Sequence, residues 1–229
     1  MEKNLNSANV YNLIILDESG SMSSIYSESL AAINEAIKGI RSNQSEFPQQ
    51  RQFVSIVTFA GRGMDGMKVR RDRVPVMKVR DMTVQDYRPN GGTPLYDTMG
   101  QAITALSEAI CEGDPVFVTI ITDGYENTSE EYSGSAIKEL VSRKRREGWT
   151  FAYIGANQDA VEVASELNIP KSNSINWSCD AEGVANMSMQ FIQAGANFSR
   201  KVQSRLDAGA PMAAASFEDL FDEEEKNKK

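Results

Sequence analysis

Histidine is absent from the sequence. That single zero excludes Ser-His-Asp and Cys-His catalysis, HExxH zinc sites and His-ligated haem. Any general base has to be a carboxylate, Lys, Tyr or Cys. Cysteine is nearly absent as well. Cys111 and Cys179 rule out a disulfide-rich scaffold and a four-cysteine zinc site, and two reduced, buried thiols are expected. No apolar run approaches the roughly 20 residues of a membrane helix. The stretch Met1 to Asn12 is polar, without the apolar core of a signal peptide. These features predict a soluble, cytoplasmic protein with no membrane partner. The net charge of -8 argues against general nucleic-acid binding.

What is present is ordinary globular composition, with 41% hydrophobic and 24% charged residues among 229. That length allows one large domain, alone or with an appendage. Apolar, β-rich runs at Val10–Leu16, Phe53–Phe59, Val116–Thr122, Thr150–Ile154 and, more weakly, Ser172–Trp177 alternate with helix-period stretches. Such dense runs suit strands buried on both faces of a parallel sheet. The helical faces are Leu30, Ile33, Ile37 and Ile40; Leu95, Met99, Ile103, Leu106 and Ile110; Ile137, Leu140 and Val141; Val161, Ala164 and Leu167; and Val184, Met187, Phe191, Ala194 and Phe198, the last capped by Asp180. Lys144, Arg145 and Arg146 before Gly148 form a helix C-terminal signature. The alternation predicts a doubly wound, mostly parallel α/β sheet, Rossmann-like, with helices on both faces.

Met67–Val79 breaks the pattern. It alternates with period two, contains Pro75, and belongs to a stretch with six basic residues from Lys68 to Arg80. It is expected as an exposed antiparallel edge strand or hairpin, protected by charge and proline. As a nucleic-acid strip it lacks interleaved aromatics. After residue 206 the composition shifts, so a domain over 1–206 and a disordered acidic tail over 207–229 are expected. Within the tail, Phe217, Leu220 and Phe221 stand at helical spacing beside acidic residues, the pattern of a short docking motif.

The chemistry-bearing residues sit where strands end and helices begin. Asp17-Glu18-Ser19-Gly20-Ser21 follows the first apolar run and spaces three oxygen side chains at i, i+2 and i+4, with Gly20 read as freeing the turn. Gly91-Gly92-Thr93-Pro94 precedes the second helix, and Thr122-Asp123-Gly124 ends the third run. In an open α/β sheet the crest beyond the strands' carboxyl ends is where ligands bind. Asp17, Asp123 and the hydroxyls of Ser19, Ser21 and Thr93 make a hard, all-oxygen set. Such a set suits Mg2+ or Mn2+ and not Zn2+. Each residue alone has a commoner use: Asp17, Ser19 and Thr93 as helix caps, Asp123 in a turn with Gly124.

The three segments together resemble the metal-ion-dependent adhesion site of von Willebrand factor A domains, Asp-x-Ser-x-Ser followed by Thr and then Asp. All five positions match in order, and the resemblance covers roughly Val10 to Arg200. It implies a Rossmann-like sheet with an antiparallel edge strand. It implies that Ser19, Ser21 and, in one state, Thr93 touch the metal, that Asp17 and Asp123 often act through water, and that a partner's Asp or Glu completes the shell. Met22-Ser23-Ser24 lacks the acidic residues that feed a second cation site in some members. Gly155-Ala156-Asn157-Gln158-Asp159 looks like stretches in bacterial and phage members of intracellular type. The function so implied is a non-enzymatic, Mg2+-dependent adaptor or scaffold. The rival is a metal-assisted hydrolase or phosphoryl-transfer enzyme with Glu18 or Glu126 as base, although no Gly-x-x-x-x-Gly-Lys nucleotide loop is present.

Overall fold

A computed structural model describes residues 7–156, 160–178, 180–214 and 216–221. The central strand β1 (Ala8–Asp17) is followed by α1 (Tyr26–Glu46), β2 (Gln50–Phe59), β3 (Met67–Pro75), α2 (Leu95–Ala109), β4 (Val116–Thr122) and α3 (Gly134–Arg146). Then come β5 (Thr150–Ala156), α4 (Ala160–Glu166), β6 (Ser174–Trp177) and α5 (Ala181–Asp207). The described strands form one sheet in the order β3-β2-β1-β4-β5-β6. Every neighbouring pair is parallel except β2 with β3. The doubly wound α/β architecture with one antiparallel edge is therefore as the sequence predicts.

The apolar runs are dense because both faces of the sheet are covered. Successive side chains of a strand point to opposite faces. Leu13 and Ile15 of β1, with Val116, Val118 and Ile120 of β4, pack under Met99, Ile103 and Leu106 of α2 and Ile137 and Val141 of α3. The intervening Ile14, Leu16 and Ile121 pack on Ile33, Ile37 and Ile40 of α1 and Met187 and Phe191 of α5. Ser133 caps α3 by accepting from Ala136 N, and Asp180 caps α5 by accepting from Gly183 N at 2.7 Å.

β3 carries the expected protections. Its pairing with β2 is interrupted by two register shifts, and it ends at Pro75. Much of its positive charge is satisfied internally. Arg70 pairs with Glu18, Arg71 with Asp86 and with the carbonyls of Arg80 and Asp81, and Arg73 with Asp72. That leaves little of a nucleic-acid strip.

Three expectations need correction or lie out of view. Cys111 is exposed, not buried, because it follows the last turn of α2 on the rim. Cys179 and residues 157–159 lie outside the described residues. The segment expected as a disordered tail is packed on the domain as far as residue 221. Leu220 is fully buried, and Phe217 stands edge-on to Phe198 at 5.5 Å with the Arg205 guanidinium over its ring, 4.1 Å from the centroid. Asn173 donates to Phe217 O and accepts from Leu220 N, Asn197 donates to Leu220 O, and Arg145 pairs with Glu218. The segment is an irregular clip, not a helix, so the docking-motif reading of its apolar spacing fails too. Composition misleads here because buried asparagines satisfy a backbone that forms no regular structure.

Leu220→Ala is expected to lower the unfolding free energy by about 2–4 kcal/mol, the usual cost of emptying a buried leucine site. Urea denaturation measures it, and an unchanged midpoint would remove the clip from the folded unit.

Candidate metal centre

The strand order fixes the location. From β1 the sheet grows toward β2 on one side and toward β4 on the other, so the crevice beyond the carboxyl ends of β1 and β4 is the topological switch point. Asp17 ends β1 and Asp123 follows β4 directly. Leu16 registers with Ile121, which brings the next residues together, and Thr122 Oγ1 donates to Asp17 Oδ2 at 2.6 Å.

All five residues expected at the site are brought to one spot. Asp17 Oδ1 accepts from Ser19 N at 2.7 Å. The hydroxyl oxygens of Ser19 and Ser21 are 3.1 Å apart, and Ser21 Oγ donates to Asp123 Oδ1 at 2.7 Å. A methyl group placed on Gly124 would lie 3.6 Å from Thr93 Oγ1 and 3.9 Å from Ser21 Oγ, so the missing side chain there leaves the oxygens' mouth open. Asp17, Ser19, Thr93 and Asp123 are 0%, 2%, 3% and 5% exposed, while Ser21 is exposed and forms the open side.

The commoner structural uses of Ser19, Thr93 and Asp123 are not realised. Ser19 precedes the 3-10 turn at Gly20–Ile25 without a side-chain capping bond, and Pro94, not Thr93, stands at the N-cap of α2. The turn after β4 is held by Thr122, whose hydroxyl accepts from Gly124 N, and not by the Asp123 carboxylate.

The supporting contacts were mostly invisible in the sequence. Tyr87 donates to Asp17 O at 2.9 Å. Asn127 accepts from Thr93 N through its side chain and donates its own N–H to Thr93 O, clamping that residue from both sides. Gly91 and Gly92 earn their composition by close approach. Gly91 has φ +67, and a Cβ on it would meet Gly61 at 2.9 Å; one on Gly92 would meet Thr128 at 2.6 Å. Gly20, read as freeing the turn, lacks a positive φ and has room for a side chain. Of these partners only Thr122 carried a local signal, as the hydroxyl beside Asp123.

Glu18 and Glu126, the two candidate bases, are engaged elsewhere. Glu18 is fully buried and receives Arg70, whose Nη2 reaches both carboxylate oxygens at 3.0 and 2.8 Å, and the backbone N–H of Arg88. Glu126 accepts from Tyr96 N, Thr128 N, Ser129 N and Ser129 Oγ at 2.7–2.9 Å. Asp97, buried in the first turn of α2, accepts from the backbone of Glu130, Glu131 and Tyr132. These staples fix the loop after β4 to the start of α2.

Asp17 and Asp123 are treated differently from Glu18: among the described residues no Lys or Arg pairs with either. Burial pushes the Asp17 carboxyl up to about 6; hydrogen bonds from Thr122 and Ser19 oppose the rise and the charge of Asp123 adds to it. Burial likewise raises Asp123, against a hydrogen bond from Ser21. Among the described residues no three Asp, Glu or Cys side chains converge, so a cation here has to draw on hydroxyls and water. Two buried, uncompensated carboxylates with three neutral hydroxyls fit a small hard dication.

The raised Asp17 makes a signed prediction for metal-free protein. The folded form holds this proton more tightly than the unfolded chain, so the group's contribution to stability is present below about pH 4 and lost as pH rises to about 6. Asp17→Asn escapes that loss. In EDTA, the variant should gain on wild type by on the order of 3 kcal/mol between pH 4 and pH 7, read from urea unfolding at each pH. A pH-independent difference would refute the assignment.

No protein-family model and no curated protein matches the sequence. Solved structures do match in fold. A von Willebrand factor type A protein from Catenulispora acidiphila superposes with TM-score 0.58 at 18% identity, covering 84% of this chain and 43% of that one. Proximal thread matrix protein 1 from the mussel byssus, with a zinc-occupied MIDAS motif, gives 0.56 at 15% identity, covering 81% and 45%. The von Willebrand factor domain of the type V pili tip protein Mfa5 from Porphyromonas gingivalis gives 0.57 at 9% identity, covering 87% and 97%. The chain thus spans less than half the length of the first two. At these identities the likeness is one of architecture, and the chain has the fold of a von Willebrand factor A domain.

Proposed function

We propose that this chain is a non-enzymatic protein-interaction module, an adaptor or scaffold, that binds Mg2+ or Mn2+ through Asp17, Ser19, Ser21, Thr93 and Asp123 and recruits a partner's Asp or Glu carboxylate to the ion. The observation that carries the proposal is the convergence on three hydroxyl groups at the switch point of two buried carboxylates that have no cationic partner among the described residues. Their two charges neutralise a dication, and the hydroxyls add none. The ion therefore stays electrophilic and accepts one more anionic oxygen from the exposed side at Ser21. The zinc-occupied motif of the mussel byssus protein supports divalent-metal binding by this fold.

Against hydrolysis, the two carboxylates that would serve as base are saturated by Arg70 and by backbone N–H groups. A cytoplasmic setting belongs to the same proposal. The exposed free thiol of Cys111 suits a reducing compartment, and no helix among the described residues is long and apolar enough to cross a membrane. Cell fractionation tests the location.

Asp123→Ala should weaken Mn2+ binding by at least about tenfold, as losses of metal-supporting groups do; equal titration curves for variant and wild type would overturn the metal assignment. Affinity capture by wild type in Mg2+ should retain partners that EDTA or Asp17→Ala releases. Identical prey in all three conditions would remove the metal from recognition.

The ion is not expected to hold the fold together, since the apolar core lies below the crest. At ten times Kd, bound metal adds only about 1.4 kcal/mol. EDTA should therefore lower Tm by about 3–6 °C; loss of the far-ultraviolet circular dichroism signal would show a structural metal instead.

A further inference from the structure

The edge strand reaches the metal loops through one side chain. β3 pairs with β2 at Val69–Val57 and next at Arg71–Ile56, so Arg70 is the extra residue of a bulge. Bulges beside functional sites re-aim side chains. Arg70 is aimed inward: its Nε donates to Thr58 Oγ1 at 2.9 Å while its Nη2 reaches both carboxylate oxygens of Glu18. Thr58 and Glu18 are fully buried. Lys68, two residues earlier on the same face of β3, is exposed and approaches Glu18 Oε2 only to 3.9 Å.

Glu18 stands between Asp17 and Ser19, and its polar groups are engaged by other segments. Its N–H donates to Phe59 O, its carbonyl accepts from Asn90 N, and its carboxylate accepts from Arg88 N as well as from Arg70. Gly20 N in turn donates to Gly91 O at 3.0 Å. The loop of Ser19 and the segment leading to Thr93 are thus tied together at one buried anion, and Arg70 holds that anion.

We propose that Arg70 is a positioning residue of the metal centre. It fixes Glu18, and through Glu18 the loops that carry Ser19 and Thr93, so that affinity for the ion is set from the edge strand. The inference rests on the proposed reading of the metal centre and adds how that site is held.

Two features favour positioning over plain charge balance. Neutralising Glu18 does not by itself call for Arg70, since Lys68 already stands within ion-pair distance. The guanidinium contacts Thr58 and Glu18 at once through different nitrogens, which fixes its plane; the single nitrogen of a lysine cannot do this. Positioning and charge also predict opposite signs. Arg70 is a cation near a site for a dication, so by Coulomb's law alone its removal leaves metal binding equal or tighter. Loss of a group that orients the ligand loops weakens it.

Mn2+ is titrated into wild type, Arg70→Met and Lys68→Met, each well below its Tm. Both variants lose one positive charge beside Glu18. Arg70→Met should bind about tenfold more weakly, the lower end for lost outer contacts of metal sites, while Lys68→Met binds equally or more tightly. Unchanged or tighter binding in Arg70→Met overturns the proposal, as does equal weakening in both variants. If Arg70→Met does not fold, Arg70→Lys replaces it. That variant keeps the charge and loses the two-point contact, so weaker binding is again expected and wild-type affinity overturns the proposal.

A metal-free arm keeps the two readings apart. In EDTA, the amides of Gly20, Arg88 and Asn90 should lose hydrogen-exchange protection in the Arg70 variant, with Ile14 and Leu16 of β1 unchanged. Unchanged exchange at all three overturns the proposal whatever the metal does. Lost protection in a protein whose wild type takes no Mn2+ would support the hold of Arg70 on the loops and refute the reading of the site as a metal centre.

Discussion

Asp17 and Glu18 leave the central strand side by side, both fully buried, and the fold treats their charges in opposite ways. Glu18 is neutralised by Arg70, whose Nη2 reaches across from the edge strand to both carboxylate oxygens. Asp17 receives only neutral donors, from Ser19 and Thr122. Burying a carboxylate without a counter-charge is unfavourable, and the group answers by holding its proton to higher pH. A dication removes the need for that proton. The asymmetry explains why one acidic residue of the loop is scaffold while its neighbour is a ligand candidate, and the rest of the crest is arranged around it. Glu18 also accepts from Arg88 N through its side chain and from Asn90 N through its carbonyl. It thereby pins the segment that leads into Gly91-Gly92-Thr93.

The third loop is fixed by the same device, a carboxylate collecting backbone N–H groups. Glu126 ties residues 128 and 129 to the first turn of α2, and Asp97 ties residues 130–132 to the same helix. Asn127 then clamps Thr93. Thr93 and Asp123 are 30 positions apart, yet their loops are joined by hydrogen bonds to both backbone groups of Thr93. Such support holds oxygen donors in place before a ligand arrives, which lowers the ordering penalty on binding.

The fold was legible because its signal is local. A strand buried on both faces writes itself as a run of Val, Ile and Phe, and each helix buries one stripe at period 3.6. The five ligand candidates were legible for the same reason, since each lies in a short segment at the end of a strand or the start of a helix. What the sequence hid was pairing at a distance. Arg70 lies 52 positions from Glu18, and the basic run around it looked like a solvated edge until the ion pair placed it. Asn127 and Tyr87 look like ordinary loop residues until folding puts them against Thr93 and Asp17. The C-terminal clip was misread for a related reason: Phe217 and Leu220 find their surroundings only when Asn173, Asn197 and Phe198 have been brought together.

The position of that clip bears on which carboxylates of this chain can reach the proposed metal centre. Phe217 N donates to Thr150 Oγ1 at the first residue of β5, and Glu218 is paired with Arg145 near the end of α3. The crest lies at the other end of the same strands. A seven-residue strand spans about 20 Å, so Glu218 and Asp219, although acidic and near the chain's end, are anchored a strand's length from Asp17 and Asp123. An anion on a fixed clip cannot exchange onto a distant ion without breaking the burial of Leu220. Of the acidic residues in the described part of the C-terminal segment, neither can complete the shell in its own molecule. The fold keeps these carboxylates at one end of the sheet and leaves its uncompensated pair at the other. Within the described residues, that separation is set by the burial of Leu220 and the hydrogen bonds of Asn173 and Asn197.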